Sequence, residues 1–539
     1  MTFTQSAGFS VTDWTSGYVA DIDYTHDFHS QLTPATLAFC ATAQGHRHGL
    51  GQPRLSYCEL GCGQGFSANL LAAANPHIEF HAMDFSPAHI AGARELAQQA
   101  ALDNVQFHER CFADFHQAPG LPASFDIIAL HGVFSWVSAE NRDHILRFIS
   151  DRLKPGGLVY VSYNAMPGWA AAMPLRQLLR SRVEQGSGPL PTRIQEAIGW
   201  ARKLQEAGAG VFARNPLAGK RLAHMQKMPE NYLAHEYFNA DWTPFYFEDL
   251  KDEMGQAKLD FLGSTSPLDN LDDVRFTPEQ QALLEAESDP SRREGLRDML
   301  LNEHFRTDVF VKGKLAHTPR GEIGGWFETP LALVRPYSGG RLTFQHRGAE
   351  IDLAPEQYAP VLTALSQGPA TVRALLDQGV FGSMDWASIR RMLMVLIGCG
   401  CLVPCLPLED FERRRDSCRK FNQAVCKRAE DSDTLGFLAS PVTGGGVALD
   451  RLEQLFLLAL DEGGQAPADW AALAWRILAP QGQRLQHEGR VLESDEENIA
   501  LLKARAGNFA ARRLPVLRRL GVAPELQQAP AAQRASAVA

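Results

Sequence analysis

The chain has 539 residues, 45% of them hydrophobic and 21% charged, proportions that exclude a mainly disordered, collagenous or coiled-coil protein. At roughly 100–200 residues per domain, that length predicts three or four domains. Lys and Arg number 52 against 62 Asp and Glu, for a net charge of −10, which argues against a general nucleic-acid or anionic-membrane binder.

The opening residues, 1–9, lack the basic stretch and apolar run of an export signal. Short strands are expected at 55–60, 78–83, 105–110, 125–130 and 158–163, with helical stretches at 66–75, 87–101 and 139–153. Strands separated by helices of this length predict βαβ units and a parallel sheet covered on both faces. From 173 to 256 the pattern is mainly helical, broken at Pro189, Pro191, Pro216 and Pro244. Strand patterns return at 257–264 and 305–313, which predicts one sheet interrupted by a helical insertion. Residues 355–407 read as helix, helix, helix and strand, the order of a winged-helix-like module. The longest uncharged apolar stretch, 392–408, contains Gly398, Gly400, Pro404 and Pro407 and falls short of the ~20 residues that span a bilayer. A further helical region follows, and the Ala/Gln/Pro-rich end is expected to be frayed. The predicted division is 1–172, a catalytic core; 173–256, a helical insertion; 257–313, the last strands of the sheet; 314–410, a middle and winged-helix-like module; 411–525, a helical region; and 526–539, a disordered tail. Nine cysteines, an odd count in a large chain, fit a reducing cytoplasm better than a disulfide framework.

The strongest motif is Glu59-Leu60-Gly61-Cys62-Gly63-Gln64-Gly65, after the first strand and before a helix. Glycines there allow a sharp turn and a close ligand approach, and the helix N-terminus offers free N–H groups. Phe66 stands where the dinucleotide fingerprint needs its third glycine, which favours a ligand without a pyrophosphate. Asp84 ends the second strand, where an acidic residue can take both ribose hydroxyls. Ala113-Asp114-Phe115 follows the third strand; a carboxylate beside an aromatic ring can accept from an exocyclic amine. Leu153-Lys154-Pro155-Gly156-Gly157 reads as a turn into the fifth strand.

As a set, these motifs resemble the class I S-adenosylmethionine-dependent methyltransferases over about residues 50–165. The resemblance implies a Rossmann-like α/β sheet with S-adenosylmethionine as cofactor. It places Glu59, Gly61 and Gly63 at the methionine part, Asp84 at the ribose, Phe85 on the adenine and Asp114 at its amine. His131 sits where family members contact the cofactor through the backbone, and Gly65, Ser86 and Ala113 complete the cofactor positions. Flanking segments narrow the family: Tyr24-Thr25-His26-Asp27-Phe28, Val161-Ser162-Tyr163-Asn164 through Trp169, Tyr232-Leu233-Ala234-His235-Glu236-Tyr237 and Phe305-Arg306-Thr307-Asp308. They resemble bacterial methyltransferases with a methyltransferase regulatory domain, and in layout the rickettsial protein lysine methyltransferases. That resemblance implies a protein substrate and a homodimer, while the odd cysteine count points to a cytoplasmic enzyme and the net charge of −10 to no nucleic-acid partner.

Lysine as an acceptor poses a deprotonation problem. With a pKa of about 10.4, about one lysine in 2,500 is neutral at pH 7, equivalent to about 4.6 kcal/mol. A dry aromatic pocket lowers that pKa and holds methylated amines by cation–π contact. The candidates for catalysis are Tyr24, His26, Trp136, Tyr163, Asn164 and Trp169, with Phe134 beside them. Bland readings compete: Trp136 and Trp169 as packing, Tyr24 and His26 as sheet caps. His235-Glu236 lacks the second histidine of a zinc helix, since Asn239 stands in its place, so no metal is expected; these residues read as structural or as a channel wall. Cys399, Cys401 and Cys405 read as buried small hydrophobes. Two other functions stay open: a small-molecule N- or O-methyltransferase, and a cofactor-sensing regulatory protein with a winged-helix interaction module.

Overall fold

The computed structural model describes residues 26–346 and 349–524. Tyr24 and the expected tail at 526–539 lie outside the described residues.

Seven strands form one sheet in the order β3-β2-β1-β4-β5-β7-β6. They are β1 Leu55–Leu60, β2 Ile78–Asp84, β3 Val105–Glu109, β4 Phe125–Leu130, β5 Leu153–Asn164, β6 Leu259–Ser264 and β7 Phe305–Lys312. The first five pair in parallel; β7 runs antiparallel between β5 and β6. β1 and β4 are buried along their whole length, as strands covered on both faces must be. The helices Phe66–Ala74, Pro87–Gln99 and Ala139–Arg152 provide that cover. Two of them are capped by local chemistry: Ser86 Oγ accepts from His89 N, and Ser138 Oγ from Asn141 N, contacts worth about 1 kcal/mol each.

Residues 153–157, expected as a turn, belong to β5, and Leu153 pairs with Phe125. Gly157 makes this approach possible: a Cβ there would lie 2.9 Å from Lys154 O and 3.0 Å from Asp126 O.

Between β5 and β6 the chain makes five main helices, Met173–Gln185, Leu190–Glu206, Pro216–Met225, Glu230–Tyr237 and Phe247–Gln256. The first four enclose their own apolar core, which includes Trp169, Leu179, Ile198, Leu222 and Tyr237. After β7, the helices Pro355–Leu365, Val372–Asp377 and Trp386–Gly398 surround a small sheet. In it Leu402–Pro404 and Ala370–Thr371 both pair antiparallel with Pro330–Leu333. Helices from Phe411–Arg428 onward share one continuous core with the helix Phe66–Ala74 of the main sheet. Phe421 meets Phe66 at 6.0 Å between ring centroids, and Asn75 Nδ2 donates to Gly444 O at 2.8 Å. Among the described residues, no helix is long and apolar enough to cross a membrane.

Candidate active site

One cleft opens at the carboxyl ends of β1, β2 and β4, the place where open α/β sheets bind ligands. It encloses about 1420 Å³, including its mouth. Gly61, Gly63 and Gly65 form its floor and all have positive φ, +75°, +51° and +65°. A Cβ at Gly61 would meet Val133 Cγ2 at 2.6 Å, and one at Gly65 would meet Ala93 Cβ at 2.5 Å. Among the described residues, nothing beyond its two chain neighbours lies within 4 Å of the Cβ position of Gly63, so this side of its backbone is open to a ligand.

Asp84 fixes this loop from β2. Its Oδ2 accepts from Gly63 N at 2.9 Å and its Oδ1 from Ser86 N at 2.9 Å, with His89 Nδ1 at 3.3 Å. Glu59 is the penultimate residue of β1, beneath the loop. It is buried, its Oε2 has no hydrogen-bond partner among the described residues, and burial together with the nearby Asp84 pushes its carboxyl up to about 8. Such an orphaned acid fits a ligand that brings a cationic or donor group. Burial holds the Cys62 thiol well above its usual range, so it stays a neutral thiol.

A second group of side chains flanks the loop. His131 and His29 stack with centroids 3.5 Å apart, and His131 Nδ1 lies 2.8 Å from Tyr160 OH. Burial lowers the proton affinity of both rings, and the neighbouring His29 lowers that of His131 further; the pair is neutral at pH 7. Ser67 Oγ donates to Asp27 O at 3.0 Å, which fastens the 26–29 segment to the helix after the glycine loop.

The opposite wall comes from the insertion and the turn after β4: Trp136, Asn141, His235, Glu236 and Asn239. Asn239 Nδ2 donates to His235 O at 2.7 Å. Burial pushes the Glu236 carboxyl up to about 7 against the opposing field of Arg221.

Of the expected residues, the cleft brings together His26, Glu59, Gly61, Gly63, Gly65, Asp84, Phe85, His131 and Trp136. The others lie elsewhere. Tyr163 is buried and donates to Asp308 Oδ2 at 2.8 Å, inside a network centred on Arg306. Asn164 is buried, its N–H given to Ser135 Oγ at 2.9 Å and its carbonyl to Phe245 N at 2.9 Å. Trp169 packs in the core of the insertion, with Trp242 at 5.0 Å and Arg221 at 4.1 Å from its ring. Phe134 is a fully buried packing residue. Ser86 caps a helix. Ala113 and Asp114 lie in the short helix Phe112–Phe115, with Asp114 accepting from Cys111 Sγ at 3.2 Å, while the preceding Arg110, Cys111 and Phe112 face the cleft. Asp27, His29 and His89 also line it. The first two adjoin or belong to the 24–28 motif, whereas His89 gives no sequence signal.

A methyltransferase domain family matches residues 52–200, and a predicted methyltransferase regulatory domain matches 229–312. An uncharacterized protein of Synechocystis sp. is 38% identical over 509 residues, covering 94% of this chain and 99% of that one. An uncharacterized protein of Rickettsia prowazekii is 27% identical over 271 residues, 48% of this chain and 46% of that one. The solved structure of PKMT2 from Rickettsia typhi in complex with AdoHcy shares the fold. Its TM-score is 0.69 at 18% identity, over 92% of this chain and 99% of that chain.

Proposed function

The chain belongs to the class I S-adenosylmethionine-dependent methyltransferases that carry a methyltransferase regulatory domain, and from that premise we propose that it methylates lysine side chains of proteins. The carrying observation is the composition of the cleft. Among the described residues, Asp27, Glu59, Asp84 and Glu236 line it against one guanidinium, Arg110, and this excess of carboxyl groups suits a cationic acceptor. Its second wall belongs to the insertion, an element that cofactor binding alone does not require.

In this reading Glu59 and the glycine loop hold the methionine part of the cofactor, Asp84 the ribose, and Phe85 the adenine. The cofactor supplies an activated methyl group. The protein's part is to align the acceptor, since an in-line displacement gains most from positioning. It must also exclude water around a neutral amine. Trp136 offers an aromatic face to the amine and its methylated forms. The 314–410 and 411–525 modules fit recruitment of a protein partner, and the proposed assembly is a homodimer.

The test is incubation of the purified protein with tritiated S-adenosylmethionine and a bacterial protein extract, followed by mass spectrometry. Methylated lysines support the reading. Label confined to the small-molecule fraction rejects it in favour of a metabolite methyltransferase.

A further inference from the structure

The helix Glu230–Tyr237 brings to the cleft a carboxylate that the cofactor positions leave unused. Glu236 lines the same space as Glu59, Gly63, Asp84 and Trp136, yet it comes from the insertion and not from the sheet.

Of the other carboxylates of the cleft, two accept backbone N–H groups and the third is assigned to the methionine part of the cofactor. Asp84 accepts from Gly63 N and Ser86 N. Asp27 Oδ1 accepts from Phe28 N at 2.8 Å. Glu59 lies at the base of the glycine loop. The cation nearest in effect to Glu236 is Arg221, from the helix Pro216–Met225. Its guanidinium lies over the Trp169 ring at 4.1 Å and near the Tyr237 ring at 5.9 Å. Arg221 therefore serves the aromatic core of the insertion and leaves the Glu236 carboxylate available on the cleft side.

Resting on the lysine reading, we propose that Glu236 binds the acceptor ammonium and accepts its proton before methyl transfer. The sequence of events balances. The ammonium gives one proton to the carboxylate and becomes a neutral amine. The nitrogen lone pair then forms the N–C bond as the C–S bond breaks, with that electron pair staying on sulfur as a thioether. The product nitrogen carries the positive charge, and the proton on Glu236 passes to solvent.

The surroundings suit this role. Besides Arg221, the titratable groups around Glu236 are Tyr232, His235 and Tyr237 on its own helix, with Asp27, Glu59, Asp84, Arg110 and the His29–His131 pair lining the same cleft. Burial pushes its carboxyl up to about 7, the range in which a general base both accepts and returns a proton near neutrality.

The probe is sinefungin, a cofactor analogue with a primary amine in place of the transferable methyl, compared with AdoHcy, which has neither. Calorimetry on the full chain should show wild type preferring sinefungin. In Glu236→Gln that preference should fall at least tenfold, with AdoHcy affinity unchanged within twofold, and Glu236→Asp should retain part of it. An unchanged preference in Glu236→Gln overturns the proposal, and so does an equal loss of both ligands, which would make Glu236 a structural residue. The lysine reading fails separately: with no lysine labelled in the extract assay and the sinefungin preference still dependent on Glu236, the amine site stands and its acceptor is another amine.

Discussion

The Phe28 ring packs on the Phe437 ring with centroids 5.5 Å apart and planes at 59°, joining the edge of the cleft to the C-terminal module. Phe28 stands between Asp27 and His29, both in the cleft wall. A Cβ on Gly446 would lie 2.7 Å from Phe28 Cδ1, so the module presents glycine backbone where this ring seats. The C-terminal region is thus part of the support for the cleft wall.

Truncation of that anchor should be felt at a distance. Phe28→Ala is expected to destabilise the protein by about 3–5 kcal/mol and to weaken AdoHcy binding roughly tenfold, about 1.4 kcal/mol. Gly446→Val should act in the same direction by displacing the ring. Thermal unfolding and calorimetry measure the two effects. A lowered melting temperature with wild-type AdoHcy affinity would reduce the contact to plain packing.

Glu59 predicts a proton signal on binding. With its carboxyl at about 8 in the free protein, roughly nine-tenths of it is protonated at pH 7. A cationic ammonium beside it favours the ionised form. AdoHcy binding at pH 7 should therefore release on the order of 0.9 proton, and affinity should rise with pH up to about 8 and then level off. Heats of binding measured in phosphate and in Tris, whose ionisation enthalpies differ, report this number. Glu59→Gln should make the heat independent of buffer.

The parts of the site that could be read from the sequence are those where one short segment does one job. The glycine loop, Asp84 and the buried runs of β1 and β4 need no knowledge of distant residues. Tyr163 was different. Its place at the carboxyl end of β5 suggested the cleft, but β7 inserts antiparallel beside β5 and pairs Arg306 with Tyr163, so its hydroxyl meets Asp308. That pairing depends on residues far along the chain. Trp169 was likewise drawn into the insertion by Arg221 and Trp242. Asp114 is not among the residues lining the cleft, because the four-residue helix after β3 directs Phe112 to the cleft and Phe115 to the core. The grip of the C-terminal module on Phe28 has no local signature.

Asp84 holds the loop and is proposed to hold the ribose, so its variants should separate two effects. Asp84→Ala removes the acceptor of Gly63 N and of Ser86 N, and hydrogen bonds to a charged group contribute about 1.5–3 kcal/mol each. AdoHcy affinity should fall at least about 100-fold, equivalent to about 2.8 kcal/mol. Asp84→Asn keeps one acceptor oxygen and should lose less. Undiminished binding by Asp84→Ala would remove Asp84 from the ribose role.

Tyr163 and Arg306 give the sharpest contrast between support and chemistry. Asp308 Oδ2 accepts from Tyr163 OH and from Arg306 Nε, both at 2.8 Å. Arg306 also bridges to Asp298 at 2.7 Å and Glu294 at 3.1 Å, locking β7 to the helix Pro290–Leu301. Removing the cation leaves buried carboxylates unpaired, so Arg306→Met should destabilise by about 3–5 kcal/mol. Tyr163→Phe deletes one charge-assisted hydrogen bond and should lose about 1.5–3 kcal/mol. Burial pushes Asp298 up to about 7 even with Arg306 present. A carboxyl raised above its unfolded value favours the folded state fully below that value, and this contribution is lost as pH rises through about 7. Without Arg306 the carboxyl rises further, so the Arg306→Met deficit should be larger at pH 8 than at pH 6 in denaturant melts. AdoHcy affinity of Tyr163→Phe should stay within twofold of wild type, because Tyr163 faces Asp308 and not the cleft. If Tyr163→Phe instead abolished methyl transfer without loss of stability, the tyrosine would belong to the acceptor site after all.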